Sequence, residues 1–260
     1  MKILFLGDVI GRLGRKTVQT VLPTLRRESE ADLVVANGEN AAGGRGLTLA
    51  TADELFAAGV DVITSGNHVW EMREIYPFLD GESLILRPLN YPPGVPGRGL
   101  LTAHGAAFVN LQGRVFMSIE VDCPFRAADD ALERLQDTPV VIVDMHAEAT
   151  SEKTGLAWYL DGRVSAVIGT HTHVATADTR VLPKGTAFVT DVGMVGPRDS
   201  IIGMEIKPII ERFLTQLPSR FSPVEKGPAI FNSVLIDIDE ASGRAQSIVR
   251  IDREIAKHGQ

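Results

Sequence analysis

Cysteine is all but missing: Cys123 is the single one among 260 residues. A lone thiol makes no internal disulfide and no thiolate metal cluster, which fits a reducing compartment and leaves packing to hold the fold. Cys123 precedes Pro124, and nothing beside it marks an activated nucleophile. Positive charge is also short, with 26 Lys and Arg against 33 Asp and Glu, a formal net charge of −7. Backbone-wide binding to nucleic acid draws on many cations, so neither long nucleic acid nor an anionic membrane is an expected partner. Long apolar runs are absent too. The opening MKILFLGDVIG is interrupted by Lys2 and ended by Gly7-Asp8, too short for a signal core or a membrane span, and the expected location is the cytoplasm. Gly7, Gly11 and Gly14 lack the dinucleotide-binding spacing and no P-loop Gly-Lys-Ser/Thr occurs, which argues against a nucleotide-cofactor enzyme.

What is present is an ordinary globular composition, 44% hydrophobic and 23% charged. No repeat, low-complexity tract or long linker divides the chain, so one domain over 1–260 is expected. Short β-rich runs alternate with helical patterns in the first half: KILFL, a helix over Arg15–Ser29, DLVVA, a helix over Thr51–Ala58 with Thr51 as N-cap, then VDVIT. Such units predict parallel strands joined by helical crossovers. Pro88–Gly99 is rich in Pro and Gly and predicts irregular chain. AAFVNL and RVFMSIE around Gln112-Gly113 predict a hairpin, followed by a helix over Ala128–Leu135, the strand PVVIVDMH, a helix over Lys153–Leu160 and VSAVIG. The tail predicts the strand TAFVTD, a helix near Met204–Leu217, and a hairpin of SVLIDID and QSIVRID across Ser242-Gly243.

Five of these strands end in polar residues: Asp8, then Glu39-Asn40, Asn67-His68, His146, and the pair His171 and His173 within GTHTHV. Ligand sites of parallel α/β sheets lie beyond the carboxyl ends of the strands, so if these strands share one sheet the clusters converge on one edge. Carboxylate, amide oxygen and imidazole together suit manganese, iron or zinc. Glu39, the longest acid of the set, suits a bridge between two metals. His171 and His173 on extended chain would face opposite sides, whereas a turn just past the strand could aim both at neighbouring metals. Each piece also has a plainer reading, as turn residue, helix cap or hydrogen-bonded histidine. The coincidence at successive strand ends favours a metal site. His104, beside Gly105, is read as structural or surface, and His258 as uninvolved.

The ordered series Gly7-Asp8, Gly38-Glu39, Gly66-Asn67-His68, His146 and His171-Thr172-His173 resembles the calcineurin-like metallophosphoesterases. It departs from their usual pattern at Ile10, where a histidine ligand is common, at Glu39, where the bridging acid is usually Asp, and at Val69, where an acid commonly stands. Those departures, with GDVIGRLGR, NGENAAGGRG, GNHVW and GTHTHVATAD, make the chain similar to the YmdB-like branch of that superfamily over essentially its whole length. The resemblance implies an α/β four-layer sandwich, two facing mixed sheets flanked by helices. It also implies a di-metal phosphodiesterase, often di-iron, with manganese or zinc as alternatives, acting on 2′,3′-cyclic nucleotides such as 2′,3′-cAMP through an activated water. Carried over residue by residue, Asp8, Glu39 and His173 hold one metal with Asn40 close by, and Glu39, Asn67, His146 and His171 hold the other.

His68, beside a ligand, is the expected proton donor to the leaving ribose oxygen, its alternative being a role in orienting a ligand. Arg12, Arg15 and Arg45 flank the site loops and could hold phosphate, though solvated surface charge accounts for each alone. The Gly-rich run Ala41–Gly46 could let backbone approach a ligand. Two rivals remain: a nuclease or phosphatase on the same metals, and a metal-stabilised regulatory protein with little turnover. The chain could form a homo-oligomer, and the Pro/Gly-rich loop Tyr91–Leu101 could serve a subunit contact or cover the site.

Overall fold

A computed structural model describes residues 1–256, so His258 lies outside the described residues. The chain runs β1 (Lys2–Leu6), β2 (Asp8–Val9), α1 (Gly11–Ser29), β3 (Leu33–Asn37), α2 (Leu49–Ala57) and β4 (Val62–Thr64). A 3-10 turn (Arg73–Ile75) leads into the single-turn α3 (Tyr76–Leu79). Next come β5 (Leu100–Ala103), β6 (Ala106–Gln112), α4 (Pro124–Arg134), β7 (Val141–His146), α5 (Thr150–Tyr159) and β8 (Ala166–Thr170). The last part holds β9 (Arg180–Val181), β10 (Ala187–Val189), β11 (Met194–Pro197), α6 (Ile206–Thr215), β12 (Ala229–Phe231), β13 (Ser233–Ile238), β14 (Ala245–Arg250) and β15 (Arg253–Ile255).

Two mixed sheets face each other. One has the order β14-β13-β1-β3-β4 and the other β5-β6-β7-β8-β10-β9. The βαβ crossovers make β1, β3 and β4 parallel in the first and β6, β7 and β8 parallel in the second, where β10 also runs parallel to β8 after a connection through β9. The five polar strand ends therefore come from two sheets, not one. β1, β3 and β4 bring Asp8, Glu39 and Asn67 from one side, and β7 and β8 bring His146 and His171 from the other. A small third sheet, β15-β12-β11-β2, pins Asp8 through its pairing with Met194.

The layers follow from strand periodicity. In β1, Ile3 and Phe5 join the core between the sheets while Leu4 and Leu6 pack with Val18, Leu22 and Leu55 on the helical side. In the second sheet Phe108, Ile142 and Ile168 face inward, and Val109, Val143 and Val167 pack with Ala128 and Leu156 of α4 and α5. Burying each large apolar side chain contributes about 1.5–3 kcal/mol. Continuing the inward-facing register toward the carboxyl ends brings Asn37, Asn110, Asp144, His146 and Thr170, none more than 1% exposed. Apolar core thus gives way to a buried polar layer at one end of the same sandwich.

Several element boundaries differ from expectation. α1 begins at Gly11 rather than Arg15, because Gly11, at φ 54°, turns the chain and donates its N–H to Asn40 O at 2.9 Å. Thr48, not Thr51, caps α2, and Thr51 is its capping-box partner. α4 begins at Pro124, whose missing N–H fits the first turn, and α5 at Thr150, both earlier than predicted. The expected hairpin over AAFVNL and RVFMSIE does not form. β6 pairs instead with β5 across His104-Gly105, both at positive φ as a two-residue hairpin turn requires, so His104 is an exposed turn residue. RVFMSIE stays irregular, since the Glu152 carboxylate takes the N–H groups of Arg114 and Val115 that a strand would use.

Candidate metal centre

The centre is built around His146. Its Nε2 lies 3.0 Å from Asn67 Oδ1, 3.2 Å from Glu39 Oε2 and 3.1 Å from His171 Nδ1. One imidazole nitrogen carries a single proton or a single lone pair, so it cannot satisfy three such neighbours. Glu39, His146 and His171 each offer a ligand atom within 4.8 Å of the others. Asp8 lies on the far side, fully buried, with Oδ2 accepting the His171 N–H at 3.2 Å and Oδ1 without any hydrogen-bond partner. That orphan oxygen sits 3.8 Å from His173 Nε2. A buried carboxylate oxygen without a donor is costly unless a cation meets it. The donor set, carboxylates with imidazoles and an amide, fits a borderline metal.

Backbone geometry turns both histidines of GTHTHV into the centre. His171 has φ 103° and His173 has φ 64°, sparsely populated values for non-glycine residues. Thr172 between them is held by Asp191, whose Oδ2 accepts its N–H at 3.0 Å and its hydroxyl at 2.8 Å. Asp191 is itself paired with Lys153 at 2.7 Å, both fully buried. Gly66 is required by close approach: a Cβ there would collide with the His146 ring and Glu39 Oε2.

The outer hydrogen bonds set which ring nitrogens face inward. His173 Nδ1 donates to Ile202 O at 2.8 Å, leaving the Nε2 lone pair toward Asp8. His171 Nε2 donates to Glu148 at 3.1 Å, leaving Nδ1 toward His146. His146 Nδ1 donates to Thr170 Oγ1 at 2.9 Å, and that hydroxyl donates to Asp144 at 2.7 Å. Such partners orient ligating histidines and raise their basicity. Asn40 turns its Nδ2 to Glu39 Oε1 and His173 Nε2, each at 3.1 Å, so here it ties the two together as a donor. His68 gives its N–H to Glu39 Oε2 at 3.1 Å, and its partly exposed ring lies 3.5 Å from Glu71.

Charge without a cation is unbalanced. Burial pushes the Asp8 carboxyl up to about 7 against the pull of His173 and His146. Burial also opposes ionising Glu39, yet His146 and the His68 contacts hold its carboxyl well below the usual range. Burial alone would lower His146, but Glu39, Asp8 and Asp144 raise it to about 9. Burial and the neighbouring His146 push His171 down to about 3.

Of the arginines, Arg15 is structural, bonding Glu54 at 2.7 Å and Ala41 O at 2.5 Å. Arg12 is exposed on α1 and Arg45 is exposed within the Gly-rich loop. Asp144, Thr170, Glu148, Asp191 and Lys153 also support the centre and were not expected from the sequence. Asp144 left one signal, an acid inside the otherwise apolar VVIVDMH.

Two facing sheets flanked by helices, with acids, amides and histidines gathered at their carboxyl ends, define an α/β protein of the metallophosphoesterase type. The sequence model of the YmdB-like protein family matches residues 4–251, and the chain belongs to that family. A 2′,3′-cyclic-nucleotide 2′-phosphodiesterase from Bacillus subtilis (strain 168) is 49% identical over 256 residues, covering 96% of each chain. A crystal structure of a hypothetical protein from Thermus thermophilus is 46% identical, with a TM-score of 0.91 over 98% of this chain and 99% of the other. A crystal structure of a novel phosphatase from Mycoplasma pneumoniae is 34% identical, with a TM-score of 0.92 over 99% of this chain and 94% of the other. These names agree with the expectation of a phosphoric ester hydrolase. Among the described residues no helix is long and apolar enough to cross a membrane.

Proposed function

We propose that this chain is a di-metal phosphodiesterase hydrolysing 2′,3′-cyclic nucleotides such as 2′,3′-cAMP. The observation that carries the reading is the convergence of Asn67, Glu39 and His171 on His146 Nε2 beside the orphan Asp8 Oδ1. The choice of substrate rests on the name of the Bacillus subtilis relative. In this reading Glu39 would be shared by two ions, Asp8 and His173 would hold one with it, and Asn67, His146 and His171 would hold the other. Asn40 adds an amide oxygen only after exchanging its amide ends. Iron is the expected metal, with manganese or zinc as alternatives. Bound metals supply positive charge for the phosphate oxygens and acidify water so that it can act as nucleophile at neutral pH.

The chain's own groups do the rest. Ile202 O and Glu148 hold the protons of His173 and His171 on their outer nitrogens, so the inner nitrogens remain ligands. His68 is tied to the centre through its N–H on Glu39, while its ring reaches solvent and is steadied by Glu71. Both contacts support a reading in which His68 is no ligand and gives its proton to the leaving ribose oxygen.

The test is hydrolysis of 2′,3′-cAMP by protein loaded with manganese or iron, beside His68→Ala at matched metal content. Turnover by the parent with a loss of about 10²–10⁴-fold in the variant is expected for a general acid. No turnover with any metal would overturn the activity, and equal turnover would remove His68 from the chemistry.

A further inference from the structure

The segments that carry the site residues continue into a cleft of about 710 Å³. One wall is the loop after Asn40, with Ala42 only two residues on, within about 7.6 Å by backbone spacing. A second is Met72, four residues after His68. The third is Met204, two residues after Ile202, whose carbonyl holds His173. The Gly-rich loop lies close against these walls: a Cβ on Gly46 would meet Met72 at 2.8 Å, and one on Gly44 would meet Met204 at 3.1 Å. The far side brings Arg212, Arg220 and Phe221, and Arg45 completes the rim. Among the described residues no acid lines the cleft, although the chain carries a net charge of −7. Among the described residues, Arg45, Arg212 and Arg220 enter no ion pair. Arg212 instead lies over the Phe221 ring at 5.6 Å.

Three arginines are more positive charge than a 2′,3′-cyclic mononucleotide can use. Its one phosphate would be met by the positive charge of the metal centre, and the nucleoside that remains is neutral. Met72, Met204 and Phe221 offer soft apolar surface for a base, but the guanidinium groups need a second anion. We propose that this cleft is a phosphate subsite, so that the substrate is a 2′,3′-cyclic nucleotide that also bears a phosphate on its 5′ side. That phosphate is either a free 5′-monoester or the linkage to the preceding nucleotide of a short RNA end. The inference rests on the phosphodiesterase reading above and names its substrate class.

The experiment uses the metal-loaded protein and three substrates: adenosine 2′,3′-cyclic phosphate, the same compound with a 5′-phosphate, and the dinucleotide ApA ending in a 2′,3′-cyclic phosphate. The expected result is a kcat/KM at least about tenfold higher for one or both 5′-phosphorylated substrates, expressed mainly in KM. A gain confined to the monoester, or shared with the dinucleotide, identifies the source of the phosphate. The double variant Arg45→Gln/Arg220→Gln should bring the ratio to the mononucleotide close to one. Equal kcat/KM for all three substrates in the parent would overturn the subsite and leave the activity standing. Turnover of none would overturn the activity. Calorimetric binding of adenosine 3′,5′-bisphosphate against adenosine 3′-phosphate then judges the subsite separately, with equal affinity counting against it.

Discussion

At the scale of single residues, the centre is a set of groups that cannot satisfy one another without a cation. Asp8 and His146 both hold protons in the metal-free protein more tightly than in an unfolded chain, Asp8 up to about 7 and His146 up to about 9. For each, the folded-state value lies above the unfolded one, so stability is lost as pH rises through the folded value. Asp8 loses its contribution between about pH 4 and 7 and His146 between about pH 6.5 and 9, so over the upper window the metal-free protein is expected to melt at progressively lower temperature, which calorimetry after chelation would measure. Metal binding displaces those protons, so affinity should rise over the same range. Asp8→Asn removes the charge that the orphan oxygen offers, and elemental analysis should find metal lost from the His173 side. Gly66→Ala drives a methyl into the His146 ring and Glu39, and should abolish metal binding in the same assay.

At the scale of elements, the turn after β8 owes its shape to α5 and to the chain leaving β10. Lys153 of α5 pairs with Asp191, and Asp191 holds Thr172 between two histidines at positive φ. Lys153→Met leaves a fully buried carboxylate without its cation. Breaking a buried pair in this way costs about 3–5 kcal/mol, to be read from urea unfolding. Loss of the Thr48 cap is a milder case: Thr48→Ala is expected to destabilise by about 1 kcal/mol. The helix periods and apolar strand runs made most elements legible. The missed boundaries have specific causes, such as the Glu152 carboxylate that captures the backbone N–H groups of RVFMSIE. That acid lies about forty residues further along the chain, and no local pattern reports it.

At the scale of the whole molecule, the centre joins two sheets that are also held together by apolar contact and by buried hydrogen bonds such as Asn37 to Asp144 and Ser65 to Asn110. Asp8, Glu39 and Asn67 come from one sheet and His146 and His171 from the other, so a metal held between them would cross-link the sandwich at one end. A ligand that binds only the folded state at 100–1,000 times its Kd adds about 2.7–4.1 kcal/mol. For a chain of this size that corresponds to a rise in Tm of about 5–15 °C on metal loading, measurable by differential scanning calorimetry. Phe108→Ala, between the sheets, should lower stability by about 3–5 kcal/mol in the same measurement.

The sequence by itself determined the chemistry of the centre. Its acids, amides and histidines stand directly after apolar runs, where strand ends must lie, and their types suit a borderline metal. It also determined the parallel strand–helix units, because hydrophobic period is a local property of the chain. Tertiary structure alone decided that the five strand ends come from two sheets, that His171 and His173 turn to the same centre, and that Asp144, Glu148 and Asp191 support them. Those outcomes depend on pairings between residues far apart in the chain. A strand buried on both faces reads as one continuous apolar run, and it carries no mark of which sheet it will join.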